Sequence, residues 1–460
     1  MKRRQFLALA GAAAGHTFAA SAMSRVAAAA TVAPVSPEEH AKADTVLHIR
    51  PISLELAPGV VIKTTGYNGH APGPVLRYKE GEPVNVDVYN ETDVPELVHW
   101  HGLKIDSLND GAMEEGSPMI PAGGHLRYSF RPEPSGTRWY HTHTTANADL
   151  TRATYSGQYG FLYIEPKHEP GGYDEEIFLA IHHWKPHLMM MGAPMNANDV
   201  AYQYASFNDK LHSAAEPIRV RQGQRILFRF LNASATQNVT LALPGHLFTV
   251  IAMDGNPVPQ PRSVETLVLG VAERIDAIVE MNTPGVWVLG STDDHERAMG
   301  LGRTIEYADR TGKPVWVAPY NTEWDYFRFG NERKAPDADV RIPLVFAPVA
   351  AGPDGMQRWT VNGKGYPENG MQYLYPGKRH RLVFVNGSAE IHPLHLHRHT
   401  FELVSLGNRH GSGLMKDVVN IPPHSTMEVD FIADNPGKTL FHCHQQLHMD
   451  YGFMQLFRYL

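Results

Sequence analysis

One pattern occurs three times along the chain, and its spacing limits what the chain can fold into. A glycine precedes a run of alternating apolar and polar residues that ends on an asparagine. The copies are Gly81-Glu82-Pro83-Val84-Asn85-Val86-Asp87-Val88-Tyr89-Asn90, Gly223-Gln224-Arg225-Ile226-Leu227-Phe228-Arg229-Phe230-Leu231-Asn232 and Gly377-Lys378-Arg379-His380-Arg381-Leu382-Val383-Phe384-Val385-Asn386. Alternation with a period of two marks a strand with one buried face. The copies lie about 140 to 155 residues apart, the size of a domain. Forty glycines and 34 prolines punctuate short β-rich runs, and no long amphipathic helix stands out. Such a chain reads as all-β, built from consecutive sandwiches. The expected domains are residues 45–166, 173–306 and 340–460, with links in 166–172 and 307–343.

Histidine is concentrated in four blocks. They are His99-Trp100-His101, His141-Thr142-His143, His392-Pro393-Leu394-His395-Leu396-His397 and His442-Cys443-His444 with His448. Ten of the 26 histidines and the only cysteine fall there. Residues i and i+2 of a strand share a face, so each H-x-H pair can reach one site. Cys443 then points away from His442 and His444. A metal bound at Cys443 would be joined to metals at its neighbours by a few covalent bonds. Thiolate with imidazole suits copper, and two His with one Cys form the equatorial set of an electron-transfer copper. Unrelated His-rich stretches, or a zinc site, are the competing readings.

The four blocks resemble the copper signatures of the multicopper oxidases, the family of laccases, bilirubin oxidases and cuprous oxidases. His442-Cys443-His444-Gln445-Gln446-Leu447-His448, followed by Gly452-Phe453-Met454, is the most specific part. The resemblance spans about residues 45 to 460. It implies three consecutive cupredoxin-like Greek-key β-sandwiches and four copper ions. By resemblance, His392, Cys443 and His448 bind a type 1 copper, and His99 and His395 a type 2 copper. His101, His141, His143, His397, His442 and His444 hold a type 3 pair. No ligand of the set is missing. Asp110 matches an acid that moves protons for oxygen reduction; in Asn109-Asp110-Gly111 it also reads as a plain turn residue. Domains one and three carry the blocks, which places the cluster at their seam. His246 and the pair His182-His183 in domain two read as structural.

Two positions depart from relatives. Several bacterial members place a proton-donating acid directly after the last type 1 histidine. Here that residue is Met449, and Asp450 comes next. By resemblance the axial position, ten residues after Cys443, is Phe453, which cannot ligate; a one-residue shift in register would place Met454 there instead. Met189, Met190, Met191 and Met195 form a soft-donor cluster that reads more readily as packing.

The N-terminus reads as an export leader over residues 1–30. Lys2-Arg3-Arg4 precedes an Ala-rich apolar stretch, the pattern of a twin-Arg signal. The stretch is short for a membrane anchor. Its removal takes four basic side chains and shifts the formal charge from −7 to −11. The expected location is periplasmic or secreted, the export partner is the twin-Arg machinery, and no span remains after cleavage. A single cysteine forbids an intrachain disulfide. Nothing in the sequence resembles a nucleic-acid footprint, which would need a concentrated basic face, and no nucleic-acid partner is expected. The leading expectation is a laccase-like enzyme that oxidises phenols or aromatic amines and reduces O₂. Alternatives are a cuprous or other metal-ion oxidase, and a copper-binding or division-associated protein without turnover.

Overall fold

The computed structural model describes residues 42–168, 171–189 and 199–460. The expected leader, and Met190, Met191 and Met195, lie outside these residues. Strand makes up 49% of the described residues and helix 5%. The strands pair into three two-sheet sandwiches.

The first sandwich packs Thr45–Ala57, Val60–Tyr67, Val84–Asn90 and His125–Phe130 against Leu76–Lys79, His99–His101, Gly136–His141 and Tyr159–Glu165. The second runs from Glu175–Trp184 to Gly302–Tyr307, the third from Val340–Val349 to Met454–Tyr459. In the third, His392–Leu396 lies between Val418–Ile421 and Lys438–Cys443. Among the described residues no helix is long and apolar enough to cross a membrane.

The thrice-repeated pattern occupies the same place in each sandwich. Val84–Asn90, Arg225–Asn232 and Arg379–Asn386 each pair in parallel with the sandwich's opening strand and antiparallel with a later one. Gly81, Gly223 and Gly377 all have left-handed backbones, with φ of 77°, 81° and 72°. A Cβ there would meet nothing within 4 Å, so the backbone angle and not crowding calls for glycine. The closing asparagines staple the two sheets. Asn90 Nδ2 donates to the Ile120 and Pro121 carbonyls, Asn232 Nδ2 to Leu269, and Asn386 Nδ2 to Pro422. Each Oδ1 accepts the backbone N–H two residues on, from Thr92, Ser234 and Ser388. An asparagine offers both donors and acceptor on one short arm, so the repeat keeps it where a strand crosses from one sheet to the other.

His182 packs where the first and second sandwiches meet. Its Nδ1 donates to the Ala233 carbonyl at 2.8 Å, and its ring lies 4.7 Å from Tyr159 and 4.2 Å from Trp184. His246 is also held structurally, with Nε2 2.7 Å from the Tyr307 hydroxyl. Burial pulls the His182 pKa down to about 4. In the unfolded chain a histidine takes up its proton near pH ~6.5. As pH falls, the unfolded state is therefore protonated first. The stability that His182 confers is full above pH ~6.5 and declines until about pH 4, by on the order of 3 kcal/mol. His182→Gln, neutral throughout, should show a shallower fall in denaturation midpoint between pH 7 and 4 than the parent. Equal slopes would refute this.

Candidate metal centre

The cysteine site is built from the ends of three elements. Cys443 closes its strand, His392 opens the neighbouring one, and His448 lies in the one-turn helix Gln446–Asp450. Cys443 Sγ is 3.7 Å from His392 Nδ1 and 3.5 Å from His448 Nδ1, and all three residues are buried. The outer nitrogens differ. His392 Nε2 is held by Ser388 Oγ at 2.7 Å, whereas His448 Nε2 faces Glu390 Oε2 at 3.3 Å. Ser388 and Glu390 belong to the turn that Asn386 staples. Trp359 covers both rings, with centroids 4.7 Å from His392 and 4.3 Å from His448.

The register at Phe453 follows from pairing. Met454 lies opposite His442 and so projects to the side away from Cys443. It packs with Ala112, Leu440, Met449 and Leu456. Phe453 shares the Cys443 side, fully buried, with its ring 5.0 Å from His392.

The remaining eight block histidines meet between the first and third sandwiches. His99 pairs across strands with His141, and His395 with His442. The two sandwiches touch through their rings: His99 and His397 at 4.0 Å, His101 and His395 at 3.7 Å. Trp100 points the other way, into the first core, as alternation requires.

Hydrogen bonds fix which nitrogen of each ring carries a lone pair. A carbonyl only accepts, so a ring nitrogen bonded to one bears the proton. His99 Nδ1 donates to Asp110 O, His141 Nδ1 to Thr142 O, His395 Nδ1 to Asp417 O and His442 Nδ1 to Cys443 O. His397 Nδ1 donates to the Asp110 carboxylate at 2.8 Å. In each of these rings Nε2 is left with the lone pair. His101 is reversed: its Nε2 faces Asp417 Oδ1 at 3.1 Å, so Nδ1 is the free nitrogen.

These lone pairs converge. His397 Nε2 and His442 Nε2 are 3.0 Å apart, His143 Nε2 and His442 Nε2 3.4 Å, and His101 Nδ1 and His141 Nε2 3.3 Å. His99 Nε2 and His395 Nε2 have no hydrogen-bond partner. Two imidazole ligands ~2.0 Å from a tetrahedral metal lie ~3.3 Å apart, and a thiolate and imidazole ~3.6 Å apart. Both separations match, so the residues fit metal. Burial pushes His101, His141, His143, His395, His397, His442 and His444 well below the usual histidine range, toward the neutral ligand form. Burial pushes the Cys443 thiol up, so its thiolate needs a cation beside it.

Asp110 is buried between two of these rings, with Oδ2 2.8 Å from His397 Nδ1 and 3.2 Å from His99 Nδ1; its Oδ1 has no hydrogen-bond partner. Asp450, by contrast, is tied up by the Ala146 and Asn147 amides and by Gln446 Nε2, each at 2.8 Å, and burial raises its pKa to about 6. Met449 takes the other side, lining a cavity of about 10 Å³ with His141, His143, His442 and His444.

Several participants were not legible in the chain. Asp417, Ser388, Glu390 and Trp359 touch the block histidines from sequence positions that carry no spacing signal. Asp417 is itself clamped by Arg274 of the second sandwich, at 2.6 and 2.7 Å, and lies 3.4 Å from Arg138 of the first.

Three consecutive segments match family models described as multicopper oxidase: residues 49–169, 183–307 and 342–460. The multicopper oxidase MmcO of Mycobacterium tuberculosis is 29% identical, over 100% of this chain and 96% of its own. Among solved structures, a multi-copper oxidase from Pseudomonas thermotolerans superposes with a TM-score of 0.72 at 26% identity, covering 91% of this chain and 100% of its own. A laccase from Botrytis aclada, 21% identical, shares the fold with a TM-score of 0.77, over 90% of this chain and 87% of its own. The matched segments together span most of the chain and coincide with the three sandwiches in order, and on these grounds the chain belongs to the multicopper oxidase family.

Proposed function

We propose that the chain is a laccase-like oxidase that holds four coppers, one at His392, Cys443 and His448 and three among the eight clustered histidines. The observation that carries this reading is the alternation at His442-Cys443-His444. The sulfur faces one site, and both neighbouring rings enter the other. When bound, the coppers supply one-electron chemistry, taking electrons singly from a phenol or aromatic amine and passing four to O₂. The protein's part is to position and to insulate. His448 receives the donor, because its outer nitrogen borders half-open Glu390 while His392 is closed off by Ser388. Electrons then have a covalent route from Cys443 through the backbone to His442 and His444. Asp110, with one oxygen unpaired beside His397, holds and passes a proton. The twin-Arg leader supports export to the periplasm or beyond.

A second reading, a metal-ion oxidase, is favoured by the acids at His448. Asp199 lies close enough to Glu390 and His448 to be affected by both; its pKa is raised by burial and by Glu390. An acidic edge suits cationic donors, whether metal ions or protonated amines. Metal analysis and oxygen uptake with a phenol, an aromatic amine, Fe(II), Mn(II) and Cu(I) test both. Four coppers and uptake with the phenol support the first reading, and uptake with metal ions alone supports the second. A stable active enzyme with one copper or with zinc would overturn both.

Three substitutions probe the parts. Cys443→Ser should abolish the blue colour and turnover while leaving cluster metal largely in place; a normal rate would refute the electron route. Asp110→Asn keeps shape and removes a proton carrier. It should slow reoxidation by O₂ by about 10²-fold or more, with donor reduction of the blue centre nearly unchanged in stopped flow. The opposite pattern would place Asp110 in another role. Phe453→Met would bring a soft thioether to the Cys443 side beside His392, where it would stabilise the oxidised form of a copper held there, so the potential should fall. Each ~59 mV lost is a tenfold weaker pull on the donor's electron. Redox titration showing an unchanged or raised potential would refute the placement of residue 453 against a copper held by His392, Cys443 and His448.

A further inference from the structure

Away from the metal centre, folding gathers arginines that the sequence scatters. A groove of about 930 Å³ is lined by Arg262, Arg328, Arg333, Arg409, His410 and Phe327, among others. Its walls come from three segments: the Asn256–Val264 strand of the second sandwich, the connection that carries the turn Tyr326–Arg328, and the Arg409–His410 strand of the third. Backbone bonds join them. Gln260 N donates to Phe329 O at 2.9 Å, and Asn331 N to Ser412 O at 2.8 Å. Arg409 pairs with the Asp325 carboxylate at 2.5 Å. Among the described residues, Arg262, Arg328 and Arg333 form no ion pair, and Glu332 is the one acid lining the groove. The chain's formal charge is −7, so its overall balance repels anions and this cationic groove runs against it.

We propose that this groove binds a linear oligophosphate or similarly spaced multivalent oxyanion. Guanidinium groups meet phosphoryl oxygens in paired hydrogen bonds, which lysine cannot reproduce. A single phosphate would satisfy one or two of the arginines. Cations spread over a groove of this size call for several linked negative groups. Such a ligand bridges the second sandwich, the connection and the third sandwich, and so stabilises the fold that it binds.

Calorimetric titration of the copper-loaded, full-length enzyme with sodium tripolyphosphate, at fixed ionic strength, tests this. The expected result is saturable binding at one site per chain. Arg328→Ala/Arg333→Ala, at two exposed positions, should weaken it at least tenfold and keep the parental melting curve. Arg219→Ala, whose side chain is 74% exposed on the second sandwich, should leave it unchanged. Chelation of copper by the probe would be alike in all three proteins, so the difference between variants is the readout. Absence of saturable binding in the parent, equal binding in the double variant, or equal loss in Arg219→Ala would overturn the proposal.

Discussion

Everything in the centre of this protein follows from the burial of eight imidazoles with their lone pairs turned toward one another. Neutral rings with facing acceptors 3.0 to 3.4 Å apart repel until a cation lies between them. Buried acceptors without partners carry a desolvation cost that the fold must absorb. The backbone meets part of it by fixing four of the rings. Carbonyls of Asp110, Thr142, Asp417 and Cys443 take the outward protons, and the inward lone pairs follow. The strand geometry that lays down H-x-H pairs therefore also supplies the acceptors that hold them.

His101 is the instructive case among the rest, because its orientation depends on all three sandwiches. Its outer nitrogen meets Asp417 of the third sandwich, and Asp417 is gripped by Arg274 of the second and approached by Arg138 of the first. Close by, Lys416 bridges Asp254 and Glu273 at 2.9 and 3.0 Å. All these groups are buried. Removing one partner from such a set leaves an uncompensated charge, among the costlier changes a core can suffer. The second sandwich carries none of the four histidine blocks, yet it holds a carboxylate that orients one of their rings.

The same division of labour appears at the cysteine. Strand alternation places Cys443 and Phe453 on one side and His442 and Met454 on the other. The asparagine staple at Asn386 then sets Ser388 against one histidine, while Glu390 from the same turn lies against the other. One turn thus closes the edge of His392 and leaves that of His448 beside an acid. A turn that exists in all three sandwiches for folding thus sets, in the third, what borders each of these two rings.

The all-β class, the threefold plan and the candidate ligands were legible in the chain, because they rest on local periodicity. A period of two defines a strand and its faces, H-x-H pairs ride on it, and the Gly-to-Asn repeat marks each sandwich. Counting along the chain left Phe453 and Met454 both open; only the cross-strand pairing of Met454 with His442 separates the two. Asp417, Arg274, Trp359, Glu390 and the arginine groove were not legible. Each acts on a partner far along the chain, with Arg274 lying 143 residues from Asp417. Nothing local distinguishes these residues from ordinary core or surface positions. Sequence determines which way a side chain leaves its strand; only the packing of the three sandwiches determines what that side chain meets.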